Sequence, residues 1–188
     1  MQAERGTEAT TEWSGPLPGG RERALVRAAQ DGSKDALADL YTAHWRRAHR
    51  AAFLIVHDAA AAEDIAQDAF LAAVDALDRF DRRRPFAPWL HRIVANRAID
   101  WARREALRRR VDGAAETERF AAVDGLGDEL MAALAELPAE QRGVVVLRHL
   151  LEYTPGEIAA MLELPRGTVN SRLRRALDAL GERLEGER

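Results

Sequence analysis

Cysteine is absent from the 188 residues, which excludes disulfides, thiolate metal ligands and cysteine nucleophiles. No apolar stretch approaches the roughly 20 residues needed to cross a bilayer, because Arg, Asp and Glu interrupt every candidate. The N-terminus has neither the basic stretch nor the apolar core of a secretory leader. A cytoplasmic protein with no membrane insertion is expected. Catalytic signatures are missing as well. His44, His49, His57, His91 and His149 are scattered without a His-Glu-x-x-His spacing and read as surface or partly packed residues. There is neither a phosphate-cradling Gly-rich loop nor a serine elbow. No enzyme, catalytic residue, metal or cofactor is expected. Lysine is nearly absent too, Lys34 being the only one. A bias toward arginine explains the choice of cation but not its placement.

What is present is a foldable chain, 47% hydrophobic and 31% charged, the composition of a globular protein rather than a disordered one. Its length permits one domain or two small ones. The net charge of −3 conceals separated blocks. From Arg82 to Arg110 ten arginines face only Asp100 and Glu105, a local net of +8. From Asp112 to Glu140 eight acids face Arg119, a net of −7, and from Asp58 to Asp81 seven acids face Arg79, a net of −6. Blocks of alternating sign predict separate surfaces for separate partners.

Helical periodicity runs through the chain and no segment alternates convincingly, so an all-α fold is predicted. Residues 1–20 lack an apolar period and read as a disordered tail. A first domain over 21–110 opens with a helix through Glu22 to Gln30, stopped by Asp31-Gly32. A second helix starts near Ser33, carries Leu37, Leu40 and Tyr41, and either continues or bends toward Val56. Ala62 to Leu77 forms another. Pro85 and Pro88 keep the loop from Asp81 out of any helix interior, and from Pro88 a long helix continues to about Arg110. Residues 111–127, acidic and glycine-containing, read as a linker. The second domain, 128–188, holds a short helix to Leu137, one from Ala139 to Leu150, a helix opened by Thr154-Pro155-Gly156-Glu157, and a last one from Arg166 to Leu184. Thr at the N-cap, Pro at the first turn and Glu three residues on form a strong start signal. Two helices joined by the tight Glu163-Leu164-Pro165 turn read as helix-turn-helix.

On a helical wheel Val169, Leu173, Ala176, Leu177 and Leu180 of the last helix gather on one side. Thr168, Ser171, Arg174 and Arg175 fall largely opposite, flanked by Asn170 and Arg172. Hydroxyls, an amide and guanidiniums are the groups that bond base edges and phosphates in a major groove. An isolated helix of this kind is more often a plain solvated face; the capped helix and tight turn before it tip the reading toward DNA.

Three segments resemble the extracytoplasmic-function sigma factors, the small two-domain branch of the bacterial sigma family. Ala62 to Leu71 (AEDIAQDAFL) is similar to the polymerase-binding signature of their first domain, and Phe86 to Asp100 (FAPWLHRIVANRAID) to the promoter-reading segment after it. Leu137 to Arg142 with Gly167 to Ala176 resembles their second domain. The likeness covers about residues 21–184. It implies two small helical domains, a region 2-like bundle and a region 4-like helix-turn-helix, joined by the acidic linker. The implied function is to direct core RNA polymerase to promoters of a stress or envelope-response regulon. The implied partners are the clamp helices of the largest polymerase subunit and its flap, promoter DNA, and an anti-sigma factor.

By this resemblance Asp64, Gln67, Asp68, Phe70 and Leu71 bind the polymerase, although Phe70 also fits a local core. Arg83, Arg84, Phe86, Asn96, Arg97, Asp100, Arg103 and Arg104 engage the minus-ten element, where parted DNA needs cations along its backbone and a pocket for a base. Thr168, Asn170, Ser171, Arg172, Arg174 and Arg175 read the minus-thirty-five duplex. Trp89 is assigned to the core rather than to DNA, and Trp101 fits either. The acidic linker is expected in the polymerase's RNA channel. Leu177 stands where many members carry another arginine, and Asp178 follows it. A stand-alone helix-turn-helix regulator, with the first block as a dimerisation or sensor domain, is the alternative.

Overall fold

The computed structural model describes residues 19–112 and 127–186, and among these every regular element is helical. The expected tail up to residue 18 and linker residues 113–126 lie outside the described residues. Helix claims both margins: Gly19 and Gly20 already belong to the first helix, and residues 111 and 112 to the fourth. No helix among the described residues is long and apolar enough to cross a membrane.

The first bundle has four helices. α1 (Gly19–Gln30) ends where Gly32 takes φ 92°, a left-handed conformation that costs glycine nothing; there Gly32 N donates to Ala29 O and Ser33 N to Ala28 O. Ser33 then caps α2 (Lys34–Val56), its hydroxyl accepting from Ala36 N at 3.2 Å. α2 runs unbroken for 23 residues. His57, with φ 58°, closes it by donating its N–H to Phe53 O. Asp58 at once caps α3 (Ala59–Ala76), accepting from Ala61 N at 2.8 Å. A two-residue corner thus turns α2 back against α3. A single 3₁₀ turn (Leu77–Arg79) leads into the Asp81–Pro85 loop and α4 (Phe86–Asp112). α4 starts two residues earlier than proline placement predicts. Pro88 is tolerated because an amide in the first turn has no intrahelical acceptor to lose.

Two long-range contacts fix the head of α4. The buried Glu22 carboxylate of α1 accepts from Phe86 N at 3.1 Å and lies 3.2 Å from His44 Nε2 of α2. Gln30 donates to the carbonyls of Leu77 and Phe80 at 2.8 and 2.9 Å. Burial by itself would raise the Glu22 pKa. The His44 contact and the amides at the start of α4 outweigh it and hold the carboxyl below its ordinary value.

The second bundle comprises α5 (Asp128–Glu136), α6 (Ala139–Val145), which loosens into a π turn over Val146–Leu150, α7 (Pro155–Leu162) and α8 (Arg166–Gly186). The predicted capping box at α7 is present in full: Thr154 Oγ1 accepts from Glu157 N, and Glu157 accepts from Thr154 N at 2.8 Å. Glu163, at φ 55°, ends α7 and Pro165 opens the turn into α8.

The two bundles share one continuous core. Leu40, Ile55, Leu90 and Val94 in the first, and Met131, Leu147, Ile158 and Val169 in the second, are fully buried, each worth about 1.5–3 kcal/mol relative to exposure. Where they meet, Gly143 of α6 lies against Ile99 of α4 so closely that a Cβ would stand 2.5 Å from Ile99 Cδ1. His91 Nδ1 and the Tyr153 hydroxyl are 2.7 Å apart, Arg92 pairs with Glu163, and Arg47 donates to Leu150 O at 3.5 Å. Histidines expected at or near the surface therefore sit inside: His44, His57 and His91 are all buried.

Candidate nucleic-acid interface

On α8 the apolar side packs as the wheel predicts, with Val169, Leu173, Ala176 and Leu180 buried; Leu177, placed with them, is exposed. Asn170, Arg174 and Arg175 are exposed, and Thr168, Ser171 and Arg172 half-buried. Ser171 turns its hydroxyl onto Thr168 O at 2.9 Å, so one of its hydrogen bonds is spent inside the helix. Among the described residues no carboxylate pairs with Arg172, Arg174 or Arg175. The face is cationic and unneutralised.

On α4 Asn96, Arg97, Asp100, Arg103 and Arg104 are exposed at spacings that place them along one face. Asp100 orders the strip: its carboxylate accepts from Arg103 Nη2 and its carbonyl from Arg104 Nε, both at 3.1 Å. Arg83 and Arg84 are exposed on the loop before the helix. Asp81 holds Arg83 through paired contacts at 3.0 and 3.1 Å, which keeps the Asp81 carboxyl below its ordinary pKa. Phe86 does not join them. It is 4% exposed, packed among Phe80, Trp89 and His44, because the first turn of α4 drives this ring into the core. Trp89 stacks on Phe80 with ring centroids 4.5 Å apart, in keeping with its assignment to packing.

On α3 Asp64, Gln67, Asp68 and Leu71 share an exposed face, Leu71 at 63%. Phe70 is 6% exposed and packs against Tyr41 and Trp45. Its position one residue off the exposed stripe turns it inward, so the ring is not available to a partner. Beside the stripe lies an apolar groove of about 240 Å³ whose lining includes Leu37, Tyr41, Leu71 and Val74. Tyr41, read in the sequence as an apolar helix position, and Val74 are both exposed; their helical spacing looks like core. Arg97 Nη1 of the α4 strip stands 3.7 Å from Asp68 of the α3 face, so the two surfaces adjoin.

Between the C-terminal half of α4 and the α5–α6 pair lies a cleft of about 990 Å³. Six arginines and three glutamates line it, together with His57 and Trp101. Arg142, 8% exposed, donates to Ala135 O at 3.5 Å, and its Nε has no hydrogen-bond partner. Burial, reinforced by the Arg109 charge, lowers the Arg142 pKa to about 10. Burial and the Arg142 charge push His57 down to about 3. His91, buried near His44 and Arg47, also falls to about 3.

Both bundles have counterparts among known proteins. The chain matches the family described as Sigma-70 region 2 over residues 40–108 and Sigma-70, region 4 over residues 127–180. It is 30% identical to the ECF RNA polymerase sigma factor SigW of Bacillus subtilis, over 85% of this chain and 94% of that one. The structure of CnrH in complex with the cytosolic domain of CnrY superposes with a TM-score of 0.67 at 29% identity, covering 89% of this chain and 99% of that one. The fold is also that of the sigma factor RpoE, solved with the anti-sigma factor NepR from Bartonella quintana. That match has a TM-score of 0.65 at 24% identity, over 83% and 100% of the two chains.

Proposed function

Since this chain belongs to the extracytoplasmic-function branch of the sigma-70 family, and so directs RNA polymerase to promoters without being an enzyme, we propose that it divides the task among three helix faces. The exposed face of α3, through Asp64, Gln67, Asp68 and Leu71, docks on the clamp helices of the polymerase. An acidic, partly apolar surface suits a basic helical partner. The α4 strip, through Asn96, Arg97, Asp100, Arg103 and Arg104, with Arg83 and Arg84 of the loop, holds the parted strands of the minus-ten element. The α8 face, through Thr168, Asn170, Arg172, Arg174 and Arg175 with Ser171 at its edge, reads the minus-thirty-five duplex, and its bundle meets the flap. An anti-sigma factor is the expected antagonist, as for RpoE, and the regulon is one of stress or envelope response.

The observation that carries this reading is the pair of separated cationic faces on α4 and α8, each solvent-exposed while the apolar sides of both helices are buried. The faces must also move apart. Twenty-five base pairs separate the two elements by their names, about 85 Å at roughly 3.4 Å per step. A folded body of this length has a radius of gyration of only about 16 Å. The packed bundles part before both elements are engaged.

Transcription reconstituted with core polymerase tests the proposal. The wild-type chain should initiate at promoters that bare core ignores. Asp64→Lys with Asp68→Lys should abolish association with core in a pull-down while leaving duplex binding unchanged. Undiminished association would remove the α3 face from the account.

A further inference from the structure

Arg103 and Arg104 carry the proposed strand-holding strip to the edge of the cleft between the bundles, but promoter recognition does not explain the rest of its lining. Its least comfortable member is Arg142, a cation almost withdrawn from water with one long carbonyl contact and an Nε that bonds nothing. Burying a charge is costly unless it is paired. None of the three glutamates pairs with Arg142: Glu105 holds Arg108 and Arg109, each at 3.0 Å, Glu136 holds Arg183, and Glu140 makes no ion pair with it. Arg142, Arg109 and His57 converge closely enough for each arginine to depress the next basic group. Glu105 answers Arg109 alone, and Arg142 has no carboxylate partner among the described residues. Guanidinium forks match phosphate oxygens in paired hydrogen bonds. Trp101, half-buried on the same wall, offers an aromatic plane of the kind on which bases stack. The volume, about 990 Å³, is at the upper end of the usual small-ligand range.

We propose that this cleft binds a nucleoside polyphosphate, its phosphates on Arg109 and Arg142 and its base on Trp101, and that the ligand ties the two bundles together. A diffusible nucleotide suits the site better than a DNA strand. Both bundles supply walls, so the cleft exists only while they are packed, whereas simultaneous engagement of both promoter elements pulls them apart. That preference, and the consequence that the ligand opposes initiation, rest on the proposed division of labour; binding itself does not.

Calorimetry on the full chain tests it, with ATP, inorganic pyrophosphate, sulfate and a 12-nucleotide single strand as probes. ATP is expected to bind in the micromolar range and pyrophosphate more weakly, with sulfate at least tenfold weaker than pyrophosphate. Arg109→Gln should weaken ATP and pyrophosphate about tenfold. Trp101→Ala should weaken ATP roughly fivefold or more and leave pyrophosphate within twofold. In the ring NMR spectrum, ATP should raise the pH at which His57 titrates, because an anion beside it favours the imidazolium. Arg142→Gln should match Arg109→Gln; if circular dichroism shows it unfolded, Arg109→Gln carries the test. The proposal is overturned by absence of ATP binding, by equal affinity in Arg109→Gln, by sulfate binding as tightly as pyrophosphate, or by a single strand binding where ATP does not. Any of these results would leave promoter-directed transcription, measured separately, untouched.

Discussion

Replacing Gly143 with alanine puts the junction between the bundles under direct test. The added Cβ would lie 2.5 Å from Ile99 Cδ1 and 2.8 Å from Cγ1, where carbon atoms pack comfortably at about 3.5–4.0 Å. Roughly 1 Å of separation must be found. Overpacking of this kind costs about 1–3 kcal/mol, and about 1.5–2 applies, because both Cδ1 and Cγ1 must shift although the end of one isoleucine can yield. Alanine in a helix returns about 1 kcal/mol over glycine. The net loss falls near 0.5–1 kcal/mol, and for a chain of this size each kcal/mol moves Tm by about 2–4 °C. The loss belongs to the junction rather than to either bundle. Gly143→Ala should therefore lower Tm by about 1–4 °C and enlarge the radius of gyration in small-angle scattering, with helical content by circular dichroism unchanged. Ile99→Ala deletes both close atoms, so the double variant should recover the compact radius, although the lost side chain keeps its Tm low. An unaltered radius and Tm in Gly143→Ala, or failure of Ile99→Ala to restore the radius, would refute the packing.

Glu22→Gln should destabilise the chain by about 1.5–3 kcal/mol at neutral pH, the scale of hydrogen bonds to a charged group. Because the folded Glu22 pKa is depressed, its stabilisation is full above the ordinary glutamate range and disappears as pH falls through the folded value. Urea unfolding should therefore show wild type and variant converging in acid. The buried neutral His57 and His91 are common to both chains and cancel in the difference. Arg174→Ala with Arg175→Ala should weaken duplex binding and flatten the dependence of log K on log salt by about 1.8, close to 0.9 per lost phosphate contact. An unchanged slope would show that these side chains do not meet the backbone.

Local chemistry was readable in the chain; contacts between distant segments were not. Ser33, and Thr154 with Glu157, announce their helices because a cap is made within four residues. The all-helical architecture and both sigma regions follow from similar short-range patterns, and the match to region 2 removes the alternative of a sensor domain on a stand-alone regulator. Phe86 and Phe70 were misplaced at surfaces because an aromatic ring among arginines or acids reads equally as a ligand platform or as a core residue. Only the packing of Phe80, Tyr41 and Trp45 decides. The burial of His91 and the close approach of Gly143 to Ile99 stayed hidden for a related reason. α4 is covered on more than one side, by α2 and α3 and again by α6 and α7. A helix enclosed in this way loses the one-sided stripe that periodicity detects.

Arg97 and Asp68 stand close enough to attract each other, and under the proposed division of labour they belong to different tasks, one to the strip of α4 and the other to the face of α3. A carboxylate shared between two cations grips each less firmly. On that proposal, a basic partner seated on Asp68 would loosen its hold on Arg97 and leave the guanidinium freer for a phosphate. Recruitment and strand capture would then be coupled through one exposed pair, a nudge of at most about 1 kcal/mol from the first to the second.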